Sequence, residues 1–116
     1  AYELAKSNLA LGMTVVADCV NPLSVTREAW RAVATRTSSG LLEVEVVCSD
    51  PVEHRRRVEG RKSDIPGLTL PTWETVLRRE YEAWTTTRLV IDSALVNASE
   101  AASLILQTSR RYAAGE

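Results

Sequence analysis

Residues 14–30, TVVADCVNPLSVTREAW, decide the fold class. Thr14, Val15, Val16 and Ala17 form a short apolar, β-branched run that ends at Asp18. A continuous run of this length suits a strand buried on both faces of a parallel sheet. Asn21 and Pro22 then mark a turn. Ser24 can cap a helix over 25–36, and that helix would bury Ala29, Trp30, Val33 and Ala32 on one side. Strand, polar loop and helix in this order open a β–α crossover unit.

Working outward, residues 2–11 read as the end of a helix, with Leu4, Leu9 and Leu11 apolar and Gly12 placed to stop it. The chain opens with Ala inside that helix, which suggests a fragment or a processed product. A second strand is expected over 42–47. There Glu43 and Glu45 alternate with Leu42, Val44 and Val46, as on an edge or half-exposed strand. Asp50-Pro51-Val52-Glu53 carries a cap, a proline at the first helical position and an acid three residues after the cap. It predicts a helix running to about 58 or 61. Pro66, Gly67 and Pro71 place a loop over 63–71, and Thr72 caps a helix expected over 73–84. Trp30, Trp73 and Trp84 all fall at helical core positions. A third strand is expected over 88–92, again ending in an acid. Asn97 and Glu100 then cap a last helix to about 111. Alternating strands and helices imply one three-layer α/β domain over 1–116, a parallel sheet with helices on both faces. Three strands are few for such a sheet.

The bulk composition is that of an ordinary globular protein, 45% apolar and 25% charged. With 14 basic and 15 acidic residues the net charge is −1, which gives no global field toward nucleic acid or an anionic membrane. Apolar runs such as Leu89-Val90-Ile91 are far too short to span a bilayer. Cys19 and Cys48 lack CxxC spacing and read as reduced thiols, which points to the cytoplasm.

In open parallel sheets ligands bind beyond the carboxyl ends of the strands. Asp18 with Asn21, Ser49 with Asp50, and Asp92 with Ser93 fall there. A carboxylate at Asp18 can hold Mg²⁺ directly or through water, accept a proton from an attacking hydroxyl, or simply cap the following turn. Asp50 reads as a helix cap. His54–Lys62, HRRRVEGRK, holds five basic residues and one acid. On a helix, Arg57 and Arg61 would share a face with His54. Two guanidiniums before a Gly/Pro loop suit a lid over 55–72 that closes on phosphates, or else a solvated basic surface. His54 has no second ligand at metal spacing.

Taken together, VVADCVNPL, TREAW, EVEVVCSD, EHRRRVEGR, PTWETVLRREYEAW and RLVIDSA resemble the latter two-thirds of a P-loop kinase. The family is the AAA-type predicted ATPase/kinase group related to polynucleotide kinase, gluconate kinase and zeta toxin. The resemblance covers nearly the whole chain and rests on motif order and spacing. It implies ATP-dependent phosphoryl transfer, with ATP and Mg²⁺ as cofactors. By the same resemblance Asp18 would be the catalytic acid beside Mg²⁺ and the phosphates. Arg61 would act on the transferring phosphoryl group, Arg57 and Asp92 would lie toward the adenine, and Asn21 and Arg27 toward an unspecified hydroxyl acceptor.

The phosphate loop is not in this chain, since none of its five glycines is followed by Lys. The family's first two strands are missing as well, and the first of them lies between the third and fourth. A missing N-terminal segment or another chain is therefore expected to complete the sheet, and these 116 residues alone are expected to be inactive. The alternative is a non-catalytic α/β interaction module. Specific nucleic-acid binding through Arg55–Lys62 is not supported by the near-neutral charge.

Overall fold

A computed structural model describes residues 1–61, 70 and 72–113, with the backbone alone for 112 and 113. It is mixed α/β, in the order α1 (Tyr2–Ala10), α2 (Ser24–Arg36), β1 (Val44–Val47), α3 (Pro51–Glu59), α4 (Trp73–Arg78), β2 (Leu89–Asp92) and α5 (Ala98–Ala113). The chain divides into two compact units, one of residues 1–42, 80–87 and 109–116, the other of 43–79 and 88–108.

In the first unit α1 packs against α2, burying Ala5, Val33 and Ala34. Tyr2 meets Trp30 edge-on, with ring centroids 4.6 Å apart. Gly12 stops α1 as expected. Its φ of +80° lets the Gly12 and Met13 N–H groups turn back to the carbonyls of Leu9 and Asn8. The same closure ends α2 at Ser38, where a non-glycine residue takes φ of +52°. Ser24 does not cap α2. The N-cap is Leu23, without a side-chain bond, because the Ser24 hydroxyl donates instead to Glu82 Oε2 at 2.9 Å.

Residues 14–17 form no strand, which corrects the expectation that opened the sequence reading. They are β-branched enough to be one, but none of their backbone groups joins a ladder among the described residues. Extended conformation without a neighbouring strand is no sheet. Asp18 therefore ends no strand; it stands exposed in irregular chain.

The second unit holds the described sheet, two parallel strands with Val44 opposite Leu89 and Val47 opposite Asp92. Parallel pairing requires a crossover, and α3 and α4 lie on it. The expected alternation of β1 fails at its centre. Val46 is 64% exposed, whereas the Glu45 side chain is only 10% exposed, covered by Arg88, whose Nε reaches Glu45 Oε1 at 3.0 Å. The Asp50 carboxylate caps α3 by accepting from the Val52 and Glu53 N–H groups, and Val58 and Ile91 are buried. Asn97 and Glu100 cap α5 reciprocally, each side chain accepting from the other residue's backbone N–H.

The helix after Thr72 is half the expected length. It ends at Arg78, and Arg79 is extended (ψ 128°). Residues 80–84 of the predicted helix belong to the first unit, where the Glu82 N–H donates to Pro22 O at 2.7 Å. Tertiary bonds there outweigh the helical propensity of 79–84. No described helix is long and apolar enough to cross a membrane.

Candidate functional site

The carboxyl ends of β1 and β2 converge in the second unit, and three predicted polar residues meet there. The Ser93 N–H and hydroxyl both donate to Val47 O, at 2.7 and 2.9 Å, so the chain leaving β2 is tied to the end of β1. Asp92 Oδ1 accepts from the backbone N–H groups of Ser49 and Ala94, each at 3.0 Å. Its pKa lies below the usual carboxylate range, first because of the Ser49 side chain and then because of these two N–H groups. Arg57 reaches across from α3, with Nη1 donating to Ser93 Oγ at 3.0 Å and Nη2 to Ser93 O at 3.1 Å.

Arg57 is aimed by Glu53, whose Oε1 accepts from Arg57 Nε at 2.9 Å. Glu53 also accepts from Arg56, and the two arginines, Arg56 first, lower its pKa from 4.5 to about 2. A guanidinium has five N–H donors, and three of those of Arg57 are taken. Among the described residues one remains on each terminal nitrogen, enough to meet a phosphate oxygen while the arginine stays fastened. The ordering role of Glu53 was open to sequence reading, since acids three and four residues before arginines pair on a helix.

Arg61 does not share a helical face with Arg57. α3 closes at Glu59, Gly60 is its C-cap, and Arg61 lies exposed beyond it. There it borders a shallow depression with Val58, Leu70, Thr72 and Trp73. The expected lid core, residues 62–69 and 71, lies outside the described residues. His54 packs edge-on against Trp73 with centroids 4.9 Å apart, an aromatic contact. Arg55 and Arg56 are exposed and paired with Glu59 and Glu53, in keeping with a solvated role.

The first unit carries the other predicted residues, and it joins only two of them. Arg27 Nε donates to Asn21 O at 2.8 Å, and the Asn21 amide reaches Cys19 Sγ at 3.3 Å. Asp18 makes no described hydrogen bond with either. Arg27 is 3% exposed, under the rings of Tyr81 (5.0 Å) and Trp84 (4.3 Å). Trp84 is thus not a helical core residue. Its indole N–H donates to the Tyr81 hydroxyl at 2.8 Å. Sequence reading missed this pair, because a Tyr and a Trp three residues apart look like one helical stripe.

Among the described residues no three His, Cys, Asp or Glu side chains gather for a metal. A lone Asp18 fits Mg²⁺ only in the mode where substrate phosphates and water supply the other ligands. Comparison with protein families, with curated proteins and with solved structures finds no match to this chain.

Proposed function

We propose that this chain is the carboxyl-terminal part of a P-loop kinase domain. The complete domain transfers phosphate from ATP to the hydroxyl of a small molecule or of a nucleic-acid 5′ end, in the cytoplasm. The observation that supports this most is the parallel β1–β2 pair, at whose carboxyl ends Asp92, Ser93 and Arg57 gather. Phosphate-handling α/β proteins build their sites at that edge. The sequence resemblance supplies the reaction class.

On this reading Arg57 holds its two free N–H groups toward nucleotide, and Arg61 carries positive charge toward the transferring phosphoryl group. By the resemblance, Asp18 is assigned to Mg²⁺, directly or through water, and Asn21 and Arg27 to the acceptor. Mg²⁺ on the nucleotide supplies charge neutralisation of the phosphates. An N-terminal segment beyond these residues, or another chain, would supply the phosphate loop and the remaining strands.

The test is phosphoryl transfer from labelled ATP by the complete domain to nucleosides, 5′-hydroxyl oligonucleotides and sugars. Asp18→Asn should abolish transfer with thermal stability unchanged. An Asp18→Asn protein that loses stability while its folded fraction stays active would leave Asp18 a turn residue. A non-catalytic interaction module is the second reading, favoured by the exposure of Val46 and Val90 on the sheet. Absence of transfer to every acceptor, with ATP unbound, would select it.

A further inference from the structure

Arg27 is the buried charged residue among those described, and its Nη2 has no hydrogen-bond partner. No described carboxylate pairs with it. A guanidinium does not give up its proton in a protein, so burial leaves a charge and a donor to be satisfied. The faces of the Tyr81 and Trp84 rings, 5.0 and 4.3 Å from the guanidinium carbon, offset part of the charge. They do not satisfy an N–H.

The guanidinium sits at the amino-terminal end of α2. Helical side chains lean toward the helix N-terminus, and the bond from Arg27 Nε to Asn21 O, just ahead of the Leu23 N-cap, holds it there. That end has no side-chain cap. α2 has 13 residues and no side-chain cap bond, so its first-turn N–H groups and the positive end of its dipole are unserved by a cap. Glu82 is the nearby acid, but its Oε2 accepts from Ser24 and it does not pair with Arg27. Tyr81 and Trp84, which cover Arg27, lie outside any helix or strand. An anion reaches Arg27 Nη2 by displacing this loop, which is tied down by the Glu82 N–H to Pro22 O and by the Ser24 hydroxyl to Glu82 Oε2.

We infer that Arg27 and the N-terminus of α2 form an oxyanion-binding site. Resting on the function proposed above, the hydroxyl acceptor then carries an anionic group, a phosphate or a carboxylate, that docks there. The ligand's oxygens accept from Arg27 Nη2 and from the first-turn N–H groups, as anions do at helix N-termini.

The experiment titrates the protein with inorganic phosphate and, separately, acetate, against chloride at constant ionic strength and without ATP. Arg27 side-chain N–H resonances and Trp84 emission are followed. Expected is a saturable shift of the Arg27 signals, with the tighter of the two anions naming the ligand class. Arg27→Lys should bind about 10- to 100-fold more weakly, as loss of one charged hydrogen bond of ~1.5–3 kcal/mol implies. If Arg27→Lys does not fold, the wild-type Arg27 shift decides by itself. A response no larger than chloride's would overturn the site and leave a buried water as the partner of Nη2. Anion binding without phosphoryl transfer would keep the site and remove the kinase reading. Transfer to neutral acceptors without anion binding would do the reverse.

Discussion

Arg57 and Arg61 stand in different physical situations despite their four-residue spacing, and their variants should differ accordingly. Arg57 fastens the chain after β2 to α3 through Ser93, so Arg57→Ala should lower the melting temperature as well as weaken ATP binding. Arg61 lies beyond the helix with its side chain exposed. In the complete domain Arg61→Ala should leave stability alone and lower kcat, by up to about 10³–10⁵-fold if it meets the transferring phosphoryl group. Arg55→Ala and Arg56→Ala should be near neutral, as exposed charges are. Steady-state kinetics and melting curves on the four variants check this; four small losses that vanish with salt would mean a solvated basic face. Glu53 adds a pH signature. Its folded pKa is about 2 against an ordinary 4.5, so its ion pairs stabilise the fold fully above about pH 4.5 and are lost as pH falls toward 2. Melting temperatures measured across that window should fall for the wild type and fall less for Glu53→Gln, which lacks the charge throughout. Asp92, held by Ser49, and Glu3, held by Lys6, shift in the same direction and contribute to the remainder. The Arg57 contacts were only partly legible in sequence, because spacing on a helix gives a face but not the strand-end loop that meets it.

Caps and closures were the most legible elements, and the reason is local. Asp50-Pro51, Asn97 with Glu100, and Gly12 satisfy backbone groups within a few residues of themselves, so three of the helix limits follow from neighbouring side chains alone. Elements that depend on distant partners were misread. The run over 14–17 needs a strand on at least one side, and 79–84 prefers bonds to Pro22 and Ser24 over helix. Ser38 shows what a local closure costs with the wrong residue. A left-handed conformation costs an L-residue roughly 1–2 kcal/mol, against about 0.5–1 kcal/mol of extra chain entropy lost by glycine on folding. The first term wins. Ser38→Gly should therefore stabilise α2 by up to about 1 kcal/mol, read as a raised melting temperature with unchanged helix content. A lowered melting temperature would mean that the hydrogen-bonded turn around Thr37 and Ser39 depends on the serine itself.

The fraction of apolar residues, 45%, predicted an ordinary core, yet burial depends on partners that composition does not reveal. The buried apolar side chains are Ala5, Val33 and Ala34 in one unit and Val58 and Ile91 in the other, among the described residues. Val16, Leu11, Val46, Val52 and Leu95 are exposed. Among the described residues the two parallel strands have no further strand on either edge, and a two-stranded sheet is marginal by itself. A net charge of −1 does little to keep copies apart. The 116-residue chain by itself is thus expected either to associate as its concentration rises or to remain partly unfolded. Sedimentation across a concentration series, with amide exchange on the same samples, measures both. Protection confined to α1, α2 and the caps, with Val44–Val47 and Leu89–Asp92 exchanging early in the dilute chain and slowing on association, would show that the strands wait for a partner. A monodisperse monomer with both strands strongly protected would sink this expectation. It would weaken the kinase reading with it, because that reading requires a sheet completed by a segment beyond these residues.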